Sequence, residues 1–281
     1  MLKAVKVSVS FGNQNVLSDI SVAIPERGIT CIIGPNGAGK STLLHALGRL
    51  LQPNSGYVEV DHKAINSWPP NELARKLAIM TQSNFIQTRL MVEDLIQFGR
   101  YPHHQGRPTS FDVSQVVQTL EILELEGLRK RYLDQLSGGQ RQRAFIGMAL
   151  AQDTQIVLLD EPLNNLDIGH SKQLMSQLKR ASQEKSIVMV MHDLNYAVNL
   201  SDHVIALKDG ELAFSGPPGE VINDAQLTDL FNTQIRCVEI YGQRVCLYPL
   251  DELEDQNSLA KTQGGATVHH DVFEGDMPCA V

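Results

Sequence analysis

Glycines, a lysine and a hydroxyl residue lie near the N-terminus in a spacing that can bind phosphate. The segment fits the pattern G-x-x-x-x-G-K-[ST] and reads Gly34-Pro35-Asn36-Gly37-Ala38-Gly39-Lys40-Ser41, with Thr42 directly after it. Glycines let backbone N–H groups turn towards phosphate oxygens, because no Cβ atom stands in the way. The pattern predicts that these residues bind ATP, that Lys40 reaches the β- and γ-phosphates, and that the Ser41 hydroxyl binds Mg²⁺.

Two adjacent carboxylates, Asp160 and Glu161, follow the apolar run 156–159 and supply the second half of the same chemistry. Mg²⁺ prefers hard oxygen ligands and keeps several waters, so Asp160 can hold the ion directly or through water. Glu161 can orient the attacking water and take its proton. Carboxylates at the end of a strand can also be merely solvated, but the phosphate-binding pattern upstream favours a catalytic pair.

Three nearly continuous apolar runs must position these residues: Gly28–Ile33, 156–159 and 186–191. Such runs are typical of parallel strands that are buried on both faces. Helix-sized patterns separate them, so we expect an α/β sheet with crossover helices. Alternating residues in 2–10 and 56–60 predict half-exposed antiparallel strands. The expected fold class is α/β, a phosphate-loop NTPase core with an N-terminal antiparallel β portion.

The region from about residue 83 to 152 has helical periodicity and predicts an inserted α-helical subdomain. Behind a plausible N-cap at Ser110, apolar residues recur at i, i+3, i+4 and i+7, namely Val113, Val116, Val117 and Leu120. We expect this stripe to pack in the core, which leaves the opposite face of the helix for a partner.

A second glycine-rich segment narrows the interpretation to one family. Leu136-Ser137-Gly138-Gly139-Gln140, followed by Arg141-Gln142-Arg143, resembles the signature of ATP-binding-cassette ATPases and lies 23 residues before Asp160, where that family places it. Physically it is another anion cradle at the start of a helix. One chain has no evident need of two such cradles. The resemblance implies a homodimer, in which the signature of one subunit closes over the ATP bound to the phosphate loop of the other.

The resemblance covers roughly residues 2–248 and implies roles for four more residues. Gln82 matches the glutamine that contacts Mg²⁺ and water and senses the transmembrane partner, and His192 matches the histidine that hydrogen-bonds the γ-phosphate. Asp167 matches the loop that communicates between subunits. Phe11 stands where the family usually has a tyrosine stacked on adenine, and an aromatic face suffices for that contact.

The single cassette resembles the separate nucleotide-binding subunit of an importer, which pairs with itself and with two transmembrane permease subunits and serves a periplasmic or surface substrate-binding protein indirectly. This implies a peripheral position on the cytoplasmic face of the bacterial inner membrane. Residues 91–103 and 161–167 resemble the iron-chelate and cobalamin importers, especially the ferric-siderophore ATPases. Haem or cobalamin remain alternative cargoes, since the ATPase is not expected to contact the chelate.

Composition excludes several other classes. The formal charge of −8 and the pI near 5.6 disfavour a sequence-independent nucleic-acid binder. No apolar run reaches the length of a membrane-spanning helix, and the N-terminus does not resemble a secretion signal, so we expect a cytoplasmic chain. Four scattered cysteines do not predict a disulfide scaffold. Cys237 and Cys246 would face each other if Tyr241-Gly242 formed a hairpin turn, and we expect reduced thiols.

We therefore expect one ATPase domain, residues 1–250, and a weakly ordered tail, residues 251–281, that carries seven acidic residues and one lysine. Two other classes stay open. The chain could be a non-transport ATPase or regulatory module that uses the same dimer, or a metal-binding protein built on His103-His104 and His269-His270. Adjacent histidines alone do not complete a coordination shell.

Overall fold

The computed structural model describes residues 1–82 and 89–249, so the predicted tail and the pair His269-His270 lie outside the described residues. The strands are β1 (Leu2–Phe11), β2 (Gln14–Ile24), β3 (Gly28–Ile33), β4 (Ser55–Val60), β5 (Lys63–Ala64), β6 (Leu77–Met80), β7 (Ile156–Asp160), β8 (Ser186–Val190), β9 (His203–Lys208), β10 (Glu211–Gly216), β11 (Arg236–Ile240) and β12 (Gln243–Leu247). The helices are α1 (Lys40–Leu47), α2 (Pro70–Ala74), α3 (Val92–Gly99), α4 (Tyr101–His104), α5 (Ser110–Ile122), α6 (Gly138–Ala151), α7 (Ile168–Ala181), α8 (Leu194–Leu200), α9 (Pro218–Val221) and α10 (Asp224–Phe231).

A six-stranded sheet with the order β10-β9-β3-β8-β7-β6 forms the centre of the molecule. All neighbours are parallel except the edge pair β9 and β10. The prediction of buried parallel strands is confirmed, because every residue of β7 and β8 is buried. Strand β8 lies between β3 and β7, and the carboxyl ends of all three strands lie on the same edge of the sheet. The phosphate-binding segment follows β3 at this edge, and the carboxylate pair lies at the end of β7.

The N-terminal antiparallel sheet has the order β2-β1-β4-β5, which confirms the predicted antiparallel strands. Helix α1 contacts both sheets. Its buried residues Leu43, Leu44 and Leu47 share one apolar cluster with β1, β2, β4 and the central strands. The helix that follows the phosphate-binding segment is therefore fixed between two layers, which restricts its movement relative to β3.

Helices α3, α5 and α6 pack on the other face of the central sheet and contact one another. Two details of α5 differ from the prediction. Its N-cap is Thr109 rather than Ser110, because Thr109 and Asp112 form a reciprocal capping box. Val113 is exposed rather than buried, since the buried stripe runs through Asp112, Val116, Thr119 and Leu120. A buried ion pair at Asp112 turns the helix by one residue relative to the purely apolar pattern.

That ion pair joins three helices. The Arg100 guanidinium, after α3, lies 3.0 Å from Asp112 Oδ1 and donates at 3.0 Å to the carbonyl of Ala151, the last residue of α6. Burial alone would raise the pKa of Asp112, but hydrogen bonds from Thr109 and the contact with Arg100 outweigh it and lower the pKa to about 2. The charged form of Asp112 is therefore the form that the fold stabilises.

The predicted hairpin at Tyr241-Gly242 is confirmed: β11 and β12 pair Cys237 with Cys246, whose Sγ atoms are 3.6 Å apart as free thiols. The hairpin packs on α8, where the Asn195 side chain accepts a hydrogen bond from Cys246 N at 2.7 Å. Burial raises the pKa of Cys246 to about 12, so this thiol stays protonated near neutral pH.

Candidate active site

The phosphate loop, residues 34–41, connects β3 to α1 and passes close to two other strands. A Cβ atom on Gly34, whose φ is +146°, would lie 2.1 Å from the carbonyl oxygen of Leu207 in β9. A Cβ atom on Gly39, whose φ is +92°, would lie 2.5 Å from Leu17 in β2. Both positions thus require glycine. Gly39 is also the N-cap of α1 and has no side chain to cap the first-turn N–H groups, which favours an anion there.

Lys40 is a buried cation at the base of this loop. Its Nζ donates to the carbonyl oxygens of Gly34 at 2.9 Å and Pro35 at 2.8 Å. Desolvation lowers the pKa of Lys40, although the nearby carboxylates of Glu161 and Asp160 act in the opposite direction. A cation held in a desolvated loop is stabilised by a nearby anion, so this position suits a phosphate group.

Asp160 ends β7 beside the loop and is almost fully buried. Its Oδ1 accepts a hydrogen bond from the Ser41 hydroxyl at 2.9 Å. Among the described residues its Oδ2 has no hydrogen-bond partner, and His45 Nε2 lies 3.4 Å away. A buried carboxylate oxygen without a donor, next to a serine hydroxyl, is a set of hard ligands that fits Mg²⁺.

The carboxylate of Glu161 lies at the centre of a hydrogen-bond network. His192 Nε2 contacts its Oε1 at 2.5 Å, and Gln82 Nε2 donates to its Oε2 at 2.7 Å. The side-chain amide of Asn164 donates to the same Oε2. Glu161 also has a left-handed backbone, with φ +49°, which is uncommon for a residue other than glycine. The fold therefore brings together Gln82, Glu161 and His192, which are far apart in the sequence, and holds the Glu161 carboxylate in one orientation.

The signature segment, residues 137–140, lines a different cavity. Ser137 caps α6 in a capping box with Gln140. The four residues surround a cavity of about 500 Å³ together with Asp167 and His170. Asp167 caps α7, and the hydrogen bonds from the backbone and side chain of His170 lower its pKa. This cavity joins two predicted elements, the signature and the communication loop, but contains no residue of the phosphate loop.

Phe11 lies at the end of β1 in the hairpin with β2, where it pairs with Gln14. The same hairpin carries Val16 and Leu17 against Gly39 of the phosphate loop. The ring of Phe11 is exposed, as a surface for a flat ligand requires.

Three residues near the site were not anticipated from the sequence: His45, Gln142 and Asn164. His45 lies one turn after Ser41 on α1, so helical spacing could have indicated it. Asn164 and Gln142 contact Glu161 from a loop and from α6, respectively. Neither contact has a sequence signal, because amide side chains at such positions have many possible partners.

The histidine pair that motivated a metal-binding alternative has other contacts. His103 Nε2 lies 2.7 Å from the carbonyl of Gln152, and His104 Nδ1 accepts from Gly106 N at 3.0 Å. Within residues 1–82 and 89–249, no group of three or more His, Cys, Asp or Glu side chains could hold a metal ion. In the same residues no helix is both long and apolar enough to cross a membrane.

Comparison with known sequences gives a consistent result. The sequence model described as ABC transporter matches residues 17–164. The petrobactin import ATP-binding protein YclP of Bacillus subtilis (strain 168) is 46% identical over 250 residues, which span 88% of this chain and 99% of the relative. The ferric enterobactin transport ATP-binding protein FepC of Escherichia coli (strain K12) is 37% identical over 243 residues, or 85% of this chain and 89% of the relative.

Solved structures with the same fold include a dimeric ATP-binding cassette in a post-hydrolysis state bound to ADP and Pi, with a TM-score of 0.70 at 30% identity over 78% of this chain and 99% of that one. A structure described as an inward-facing, metal-chelate type ABC transporter has a TM-score of 0.73 at 26% identity and covers 88% of this chain and 97% of that one.

Proposed function

The chain belongs to the ABC transporter family, and from this premise we propose that it is the ATP-hydrolysing subunit of an importer that takes up an iron chelate, a ferric siderophore, through separate transmembrane subunits. The protein is an ATPase that binds ATP, as members of this family are. The observation that carries the mechanism is the position of the Glu161 carboxylate between Gln82 and His192, beside Asp160 and the phosphate loop.

The phosphate loop binds the triphosphate. Backbone N–H groups of the loop and of the first turn of α1 surround the phosphate oxygens, and Lys40 places its buried charge on the β- and γ-phosphates. Ser41 and Asp160 would hold Mg²⁺, and Gln82 would contact the ion and the attacking water. When bound, Mg²⁺ neutralises part of the phosphate charge. Phe11 stacks on the adenine ring.

Hydrolysis needs a base in line with the γ-phosphate, and Glu161 fills this role. Its carboxylate takes a proton from the attacking water. We infer that His192 and Gln82, which contact the two carboxylate oxygens, also contact the γ-phosphate and the attacking water when nucleotide is present. Because the base is held by side chains from two other segments, its position depends on those segments being in place.

A second copy of the chain completes each site. The signature segment lines a cavity that holds no phosphate-loop residue, so each chain offers two anion cradles. A two-fold dimer brings the signature of each protomer onto the phosphate loop of its partner and uses both cradles. Gly138, Gly139 and Gln140, with Ser137, contact the γ-phosphate from the partner, and Asp167 lies at the junction of the two sites.

The helical region, residues 89–151, binds the permease subunits. It exposes several large apolar side chains, which belong to α3, α4 and α5: Phe98, Tyr101, Phe111 and Val113. Large apolar side chains left exposed on one region are consistent with a surface for protein association. Gln82 precedes this region in the chain and its side chain donates to Glu161, so we infer that permease contact reaches the catalytic site through Gln82. The protein is thus peripheral to the membrane, on its cytoplasmic face.

The cargo is a ferric siderophore, supported by relatives that import petrobactin and enterobactin. Growth of a deletion strain on single iron sources tests this. We expect loss of growth on one or more ferric siderophores and normal growth with haem as iron source or with cobalamin as the required supplement. Loss of growth restricted to haem or cobalamin would contradict the proposal.

The catalytic assignment is tested by Glu161→Gln. This variant should bind ATP with wild-type affinity and lose about 100-fold or more of its turnover, because an amide cannot take the proton. The matched control is Glu121→Gln on the exposed face of α5. Wild-type turnover in Glu161→Gln would remove Glu161 from the role of base.

A further inference from the structure

Gln142 connects the signature helix to the catalytic base of the same chain. It lies on α6, just over one turn after the N-cap Ser137. Its side-chain Nε2 donates to the carbonyl oxygen of Glu161 at 3.2 Å and to that of Pro162 at 3.4 Å. The two contacts fix the main chain at and after the base, whereas His192, Gln82 and Asn164 hold its carboxylate.

The same helix end is packed tightly against the loop that follows the base. A Cβ atom on Gly139 would lie 2.8 Å from the carbonyl oxygen of Asn165, and one on Gly138 would lie 3.3 Å from the Asn165 Cβ. Close backbone approach and the Gln142 hydrogen bonds therefore act together. A displacement of the start of α6 must carry residues 161–165 with it or break both sets of contacts.

We propose that Gln142 is a positioning residue for Glu161 and that it transfers the position of the signature helix to the base of its own chain. This inference rests on the proposed function, in which the signature of one protomer closes over ATP bound to its partner. Gln142 then links the two nucleotide sites of the dimer: closure over the partner's nucleotide sets the main chain of the protomer's own base. Loss of one such support should slow hydrolysis about tenfold, since small errors in the position of a catalytic group cost one to two orders of magnitude.

Gln142→Met tests the hydrogen bonds, because methionine has a similar length but cannot donate to a carbonyl. We expect kcat to fall about tenfold while KM for ATP and the thermal midpoint change little. The matched control is Gln118→Met on the exposed face of α5, which should leave kcat, KM and the thermal midpoint unchanged. Wild-type kcat in Gln142→Met would overturn the proposal, and so would a fall in kcat that follows only a loss of folded protein.

Heterodimers of full-length chains with two different affinity tags decide which base Gln142 acts on. In the first, a Glu161→Gln chain pairs with a Gln142→Met chain, so the remaining base belongs to the chain without Gln142. In the second, one chain carries both substitutions and its partner carries neither. We expect the first heterodimer to hydrolyse ATP about tenfold more slowly than the second. Equal rates, or a slower second heterodimer, would show that Gln142 does not act on its own base.

Failure of the proposed function gives a different pattern. If Glu161→Gln homodimers hydrolyse ATP normally, Glu161 is not the base, and both proposals fail. If those homodimers are inactive and the two heterodimers are equally fast, only the positioning role of Gln142 fails.

Discussion

The two anion cradles of this chain are built in opposite ways. The phosphate-loop half lies between two sheets, and its charged groups are enclosed: Lys40 is 5% and Asp160 1% exposed. The signature half lies at the N-terminal end of α6, where Ser137 and Gly138 are exposed. One half is complete within a single chain, and the other is a surface. The difference teaches that binding of nucleotide and its hydrolysis can depend on different protomers.

The contrast follows from the elements that carry each half. The carboxyl ends of buried parallel strands meet at one edge and bring distant residues together, so a motif there is surrounded by core. A helix start at the periphery has only its own cap and the adjacent loop. ATP binding by the phosphate-loop half should therefore survive dilution to monomers, whereas hydrolysis, which needs the signature half, should not.

The largest effect is expected in the enclosed half. Lys40→Met removes the buried charge of the phosphate loop, and we expect the ATP affinity of the monomer to fall by roughly 1000-fold. Calorimetric titration with ATP measures it, with Lys172→Met on the exposed face of α7 as the control. Retention of wild-type affinity would mean that the enclosed half does not bind the nucleotide.

The next effect tests how the helices around the signature helix α6 are held together. Asp112→Asn leaves Arg100 buried without its partner and should lower the free energy of unfolding by about 3 kcal/mol, as breaking buried ion pairs does. Urea unfolding measures this, with Glu121→Gln as the exposed control.

The difference in the free energy of unfolding between wild type and Asp112→Asn should depend on pH with a defined sign. The folded pKa of Asp112, about 2, lies below its ordinary value of 3.8, so its contribution is fully present above about pH 4. It is lost as the pH falls through the folded pKa. The gap between wild type and Asp112→Asn should be constant from pH 8 to pH 5 and shrink below about pH 4. A gap that grows on acidification would contradict the assignment.

A mixing experiment separates the two halves directly. Homodimers of Lys40→Met and of Ser137→Arg should each be inactive. When the two variants are mixed in equal amounts, half of the dimers contain one chain of each variant. Each such mixed dimer has one site with both an intact phosphate loop and an intact signature. Activity should return to roughly one quarter of wild type. If the signature served its own chain's nucleotide, both sites of every mixed dimer would be damaged and no activity would return.

The smallest effect is expected at the exposed edge of the enclosed half. Phe11→Ala should weaken ATP binding about threefold, as loss of one aromatic contact does, while Phe11→Tyr should not. Triphosphate alone should bind both variants equally. Tyr57→Ala, at another exposed ring in the same sheet, is the control. Equal ATP affinity in Phe11→Ala and wild type would show that the ring does not contact adenine.

The sequence was most informative where a strong pattern and strong burial coincide. The apolar runs that became β3, β7 and β8 allowed only buried strands, and the glycine spacing before Lys40 has few structural solutions. The start of α5 was misplaced by one residue because Thr109 and Ser110 are both good N-caps, and the choice depends on Asp112 three residues later. Val113 looked apolar enough for the core, but a buried charge pair cannot be recognised from periodicity.

Two side-chain contacts with Glu161 escaped prediction for a different reason. Asn164 reaches Glu161 within the loop after β7, and Gln142 reaches it only because the fold brings α6 against that loop. No local preference fixes that approach, so only the structure reveals it.

The left-handed backbone of Glu161 sets folding against chemistry at one position. A residue other than glycine in this region costs about 1 to 3 kcal/mol, and the surrounding contacts must offset it. Glycine at position 161 would relieve the strain and remove the base together. A laboratory selection for heat tolerance that does not also demand iron uptake would therefore not preserve Glu161, and variants with glycine there would bind ATP without hydrolysing it.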